Sequence, residues 1–260
     1  NRRRPVVAII DTGVDIDHPD LKDNILMDLG WYSESNTSFD DVFGHGTEVA
    51  GIIAGEDNDV CIIGANPHAL IVPVKALMDD GNGYCDEIIA GIDYAVSIGA
   101  DIIVMAFGGP AELIESSDDY IREMEELLHE TIRNASQKCI LVASAGGYRK
   151  IDSPGTSPYV LTVGAYDWDG TPCYFSPIDT DGVLCGDCPG FTNHTDIGSN
   201  VELMAPGVNI VSTWNDGGTN VETGTTQACA FIAGAISALL MVKDYASREE
   251  LWGEATHGKD

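Results

Sequence analysis

From Ala228 to Met241 every residue is apolar or small. The apolar positions fall on all sides of a helical wheel rather than on one stripe, so a helix here has to be enclosed by a large domain. The run is too short, and too rich in alanine and glycine, to suit a bilayer, and no membrane span is expected. Gly224-Thr225-Thr226 stands at its start. The free N–H groups and positive end of such a helix would therefore face a surface cleft, where chemistry could sit.

The chain that must enclose this helix has 260 residues, enough for one generous α/β domain with a full core. No Pro/Gly/Ser-rich linker or charge block divides it, so residues 1–260 are read as one domain. Apolar β-branched runs alternate with helical patterns, which predicts a parallel sheet covered on both faces. Strands are expected over Val6–Ile10, Ile71–Lys75, Asp101–Ala106, Ile140–Ala145 and Tyr159–Ala165. Two more, Val201–Met204 and Val208–Thr213, flank Ala205-Pro206-Gly207. Helices are expected over Gly46–Ala54, Asp86–Ser97 and Ser117–Ala135, the last carrying Ile121, Met124, Leu128 and Ile132 above a Glu-rich face. The fold class is α/β, a three-layer α/β/α arrangement with a mostly parallel central sheet. Residues 177–198, rich in Asp, Gly, Thr and Cys and without periodicity, read as an inserted surface loop.

Acidic residues outnumber basic ones 42 to 13, a net charge of −29, which repels nucleic acid and anionic lipid and favours cations or basic partners. Seven cysteines leave at least one unpaired. Cys61, Cys139 and Cys229 lie in apolar or small-residue runs and read as buried thiols. Cys185-Gly186-Asp187-Cys188, with Cys173 and His194 nearby, is read as a loop disulfide or free thiols in preference to a zinc knuckle. The chain opens at Asn1 without Met or an apolar leader, so a signal or pro-segment is expected to have been removed or never included. Three sequons, at Asn36, Asn134 and Asn193, lean towards a secreted or cell-surface origin.

Candidate chemistry collects where strands end. Asp11-Thr12-Gly13 closes the first strand with a carboxylate; alone, such an Asp would be a turn cap. Gly44-His45-Gly46-Thr47 puts an imidazole at a helix start; alone, it would be a satisfied polar residue. With Thr226 opening the buried helix, the order along the chain is carboxylate, imidazole, hydroxyl, one of the known orders of the serine-protease triad. In open parallel sheets ligands bind beyond the carboxyl ends of strands, so one cleft could collect all three.

At these residues the sequence resembles the subtilisin-like serine peptidases, the subtilases, from Val7 to Met241. The matching segments are Asp-Thr-Gly-Val-Asp-Ile-Asp-His-Pro-Asp-Leu (11–21), Gly-His-Gly-Thr-Glu-Val-Ala-Gly (44–51), Ala-Pro-Gly-Val (205–208) and Gly-Thr-Thr-Gln-Ala (224–228). The resemblance implies that Asp11 orients the histidine and His45 is the general base. It also implies that Ala106, Phe107 and Gly108, with Ser144, Ala145 and Gly146, pair with an extended peptide and shape its first side-chain pocket. A calcium site is implied too, with side-chain oxygens of Asp20 and Asn58 and carbonyls of Glu56, Val60 and Ile62; an acidic solvated turn is the alternative.

Two departures touch the reacting groups. Thr226 stands where the family has its nucleophilic serine, and its extra methyl stiffens χ1 and crowds attack. Gly147 stands where the family has the asparagine that donates to the developing oxyanion. Ala106 and Ala230-Phe231 also differ from the family's residues, with more effect on packing than on chemistry. The expectation is a pseudopeptidase domain with lost or strongly impaired proteolysis, binding an extended peptide or protein partner. The alternative is an active endopeptidase with Thr226 as nucleophile, and a third class is a structural module of a larger protein.

Overall fold

The structure, a computed structural model, describes residues 3–109, 118–147, 151–173 and 201–242. Residues 177–198, expected to form an inserted loop and carrying Cys185, Cys188 and His194, lie outside the described residues.

Seven strands form one sheet in the order β2-β3-β1-β4-β5-β6-β7, and every pairing in it is parallel. They are β1 (Val6–Asp11), β2 (Trp31–Tyr32), β3 (Leu70–Lys75), β4 (Ile102–Met105), β5 (Ile140–Ser144), β6 (Leu161–Tyr166) and β7 (Leu203–Pro206). Successive side chains along a strand point to opposite faces, and the core divides accordingly. Val7, Ile9, Ile102 and Val104 pack on one face with Val49, Ile53, Ala228, Cys229 and Ala233, which belong to α1 (His45–Ala54) and α4 (Thr225–Val242). Ala8, Ile10, Ile103 and Met105 pack on the other face with Ile89, Ile92, Leu128 and Ile132, from α2 (Cys85–Ser97) and α3 (Asp119–Ala135). The predicted three-layer α/β/α arrangement is what the structure has.

Elements expected from periodicity are present with ends shifted by a few residues. α3 begins after Asp118, whose side chain accepts from the Tyr120 N–H and caps the helix. Ala205-Pro206 differs: instead of turning between two strands it completes β7, paired with Ala165 and Tyr166. A proline is tolerated there because β7 is the sheet's edge and its missing N–H breaks no ladder. The strand that follows, β8 (Ile210–Trp214), leaves the main sheet and pairs antiparallel with β9 (Gly218–Glu222).

The apolar helix α4 is enclosed as far as Ser237 and opens to solvent over its last turn. Thr225, Gln227–Ala230, Ala233, Gly234, Ile236 and Ser237 are buried, whereas Leu239 and Val242 are exposed. By length and composition its 18 residues could cross a membrane, but half of that stretch is buried inside the domain. Cys139 and Cys229 are buried thiols as expected, whereas Cys61 is exposed. Cys61 sits in the irregular segment beyond α1 and belongs to no packed element, so its apolar neighbours in sequence do not bury it.

Candidate active site

Asp11 is the last residue of β1 and fully buried. Its Oδ1 accepts from the Thr12 N–H at 2.7 Å, and the two carboxylate oxygens lie 2.8 and 2.9 Å from His45 Nδ1. A carboxylate so placed fixes the imidazole's orientation and the tautomer with its proton on Nδ1.

His45 is held by groups that no sequence pattern singled out. Asp41, nearly buried, gathers donors on both oxygens: Oδ1 accepts from the N–H groups of Phe43 and Gly44 and from the Thr12 hydroxyl, and Oδ2 from the N–H and hydroxyl of Thr47. It satisfies the open N–H groups at the start of α1. The Thr12 hydroxyl in turn accepts from the Gly46 N–H, tying the end of β1 to the histidine's helix. Gly44 precedes His45 at φ 111°, and a Cβ there would meet the indole of Trp214, so glycine is required on both counts. The sequence hinted at Asp41 only as an acid a few residues before a helix start.

Electrostatically the site favours a cation at His45. Burial pulls its pKa down, but the charge of Asp11, the hydrogen bond His45 donates to that carboxylate and the charges of Glu48 and Asp41 outweigh that and raise it to about 9. The ring is still 25% exposed, so its other edge can meet a ligand. Burial pushes the Asp41 carboxyl up, against its N–H and hydroxyl donors. Glu48 is buried one turn along α1 and is pushed by burial up to about 7, against the pull of the Gln227 amide and of His45.

The hydroxyl arrives from the far side of the sheet's crest. β1 and β4 run parallel with Ile9 opposite Val104, so Asp11 and Ala106 fall at corresponding positions beyond the paired residues. The Thr226 hydroxyl donates to the Ala106 carbonyl at 2.9 Å, and the Thr225 hydroxyl to the Gly146 carbonyl at 3.0 Å. Gln227 bridges to the histidine's helix, its Nε2 donating to Glu48 Oε1 at 2.9 Å. One turn down α4, Cys229 is buried near enough to Asp11 for that charge to add to burial in raising its thiol. Asp11, His45 and Thr226 are thus gathered beyond the carboxyl ends of the central strands β1 and β4, although no hydrogen bond links Thr226 to His45.

The segments read as cleft walls lie side by side beyond β4 and β5. Ala106, Phe107 and Gly108 follow β4, while Ser144 ends β5 beside them and Ala145 and Gly146 follow it. Ser144 Oγ lies 3.4 Å from the Phe107 carbonyl. Gly147 follows Gly146, and among the described residues nothing stands within 4 Å of where its Cβ would be. The predicted cation loop is separate: Asp20 is fully buried, its Oδ2 accepts from the Ile62 N–H at 2.9 Å and its backbone carbonyl from the Glu56 N–H at 2.9 Å. Asn58 Oδ1 accepts from the Val60 N–H in the same loop.

The chain matches the family model described as "Subtilase family" over residues 2–256. It belongs to the subtilase family. An intracellular serine protease of Paenibacillus polymyxa is 32% identical over 94% of this chain and 69% of that protein. The major intracellular serine protease of Bacillus subtilis is 31% identical over 92% of this chain and 68% of that protein. A cell wall-associated protease of the same bacterium is 32% identical over 95% of this chain and 24% of that protein. A cold adapted subtilisin-like serine proteinase superposes with a TM-score of 0.74 at 24% identity, covering 97% of this chain and 82% of its own. This subtilase is therefore a subtilisin-like serine-peptidase domain, and the names of its relatives do not select one compartment.

Proposed function

We propose that this subtilase domain holds an extended peptide, or an extended segment of a protein partner, between Ala106–Gly108 and Ser144–Gly146 without cleaving it efficiently. The observation that carries this reading is the Thr226 hydroxyl, donated at 2.9 Å to the Ala106 carbonyl and not hydrogen-bonded to His45. To attack a carbonyl it must leave that partner, and its β-branched side chain turns about χ1 less freely than serine's. Two further facts point the same way. Gly147 offers no side-chain donor to an oxyanion. A histidine with its pKa near 9 is mostly imidazolium at neutral pH and accepts protons poorly.

A second reading, an active endopeptidase, draws on the intact Asp11–His45 pair and on the relatives named as serine proteases. In it Thr226 attacks the peptide carbonyl, His45 takes its proton, Asp11 holds the imidazole, and backbone N–H groups alone meet the oxyanion. Titration calorimetry with unstructured peptides, beside labelling by a fluorophosphonate probe, separates the two. Saturable binding without labelling or turnover is expected. Labelling and turnover that vanish in Thr226→Ala would establish the second reading instead. A pro-segment, if the full-length protein carries one, is a natural occupant of the same cleft.

Calcium at the loop after α1 is part of the same reading. Asp20 Oδ1 is buried and has no hydrogen-bond partner among the described residues, which a hard cation would supply. Asp20 and Asn58 would give side-chain oxygens, and Glu56, Val60 and Ile62 carbonyls. The ion would hold that loop against Asp20 and takes no part in bond cleavage. With one buried carboxylate among those donors, the affinity is expected to be modest.

A further inference from the structure

We propose that Asp152 makes the first side-chain pocket of this cleft selective for a cationic residue, lysine or arginine, in the bound segment. The inference rests on the peptide-binding reading above and names the substrate class of that same cleft. A Cβ built on Gly108 would stand 2.6 Å from Asp152 Cβ, and one built on Gly146 would stand 2.1 Å from Asp152 Oδ2. These two glycines belong to the two facing walls, so the carboxylate of Asp152 occupies the space between them. In place of an open apolar slot, a ligand side chain entering there meets an acid.

The placement is fixed from both sides by backbone. The Asp152 N–H donates to the Ala145 carbonyl at 3.1 Å, and Ser153 exchanges two hydrogen bonds with Gly109, at 2.9 and 3.0 Å. The Thr156 N–H donates to the Asp152 carbonyl at 3.2 Å. None of these four bonds uses the carboxylate. Thr225 donates to the carbonyl of Gly146 itself, which ties the wall that Asp152 abuts to the start of the helix that carries Thr226. Asp152 already has a further interaction within the chain, so an incoming cation joins or displaces an existing contact. The net charge of −29 draws cationic segments in general, and the carboxylate between the walls gives that attraction an address.

The test is fluorescence anisotropy on the whole chain, using labelled unstructured peptides that differ at one central residue: Arg, Lys, Leu, Phe or Glu. A control peptide carries its Arg at the far end, so that total charge is constant. Arg and Lys at the centre are expected to bind at least about tenfold tighter than Leu, Phe or the shifted-Arg control. Asp152→Asn should erase that margin, and Asp152→Glu should keep most of it. Equal binding of central and shifted Arg, a preference for Leu or Phe, or a central-Arg preference that survives in Asp152→Asn would each overturn the inference while leaving the peptide cleft standing. If no peptide binds, the cleft reading falls and this inference with it. The unsubstituted chain decides by itself should the Asp152 variants fail to fold.

Discussion

Restoring the two exchanged groups, Thr226→Ser and Gly147→Asn, should turn this domain into a measurable peptidase. Removing one side-chain donor from an oxyanion hole costs about 10²–10³ in kcat, roughly 3–4 kcal/mol, so a correctly placed asparagine amide introduced by Gly147→Asn should recover a factor of that order. The structure allows it: among the described residues a Cβ at Gly147 meets nothing within 4 Å, and Gly147 is absent from the glycines held at positive φ. At position 226, loss of the methyl frees χ1, so the hydroxyl can exchange the Ala106 carbonyl for His45. The assay is hydrolysis of chromogenic peptide anilides, with calcium present and the pH above 9 so that the imidazole is neutral. The order expected is no turnover in the native chain, weak turnover in Thr226→Ser, and a kcat about 100-fold or more higher in the double variant. A double variant that melts normally yet is no faster than Thr226→Ser would refute the reasoning. So would native turnover that Thr226→Ala abolishes.

Three other outcomes follow from the same geometry. Asp41→Ala leaves the Gly44 and Thr47 N–H groups and the Thr12 and Thr47 hydroxyls without their shared acceptor, so it should cost about 3–5 kcal/mol in urea denaturation. His45 should titrate near pH 9 by NMR, and nearer 6.5 in Asp11→Asn. A raised histidine pKa stabilises fully below about 6.5 and is lost as pH rises through about 9; the shift is worth about 3 kcal/mol at most. Glu48 runs in the same direction, its contribution fading between about pH 4.5 and 7. The domain should therefore be more stable at about pH 5 than at about pH 9, and a rise in stability across that range would contradict the assignment. Chelation of calcium should lower the melting temperature, and Asp20→Asn should remove the response; a melting point indifferent to chelator would argue against the ion.

The layers of this fold were legible because they need only a period. Val6–Ile10, Ile102–Met105 and Ile140–Ser144 are apolar almost without interruption, as strands covered on both faces must be, and α3 shows its apolar stripe at helical spacing. The positions of Asp11, His45 and Thr226 were legible for a different reason: each stands in a short run of glycines and small residues at an element's end, where few residue types can serve. Periodicity does not report which strand lies beside which. The β1–β4 pairing that sets Asp11 level with Ala106 joins segments far apart in the chain, and β8 leaves the main sheet with nothing local to announce it.

Sequence alone carried the fold class, the family pattern and the identities of Thr226 and Gly147, because side-chain identity and order are written in it directly. Only the tertiary structure placed Asp41 under the histidine's helix, joined Glu48 to Gln227, turned the Thr226 hydroxyl to the Ala106 carbonyl and set Asp152 between Gly108 and Gly146. Each of these is an encounter that packing brings about between polar groups or walls that the chain order leaves apart. Its existence depends on geometry to within an ångström or two, and short-range spacing in a sequence carries no such distance.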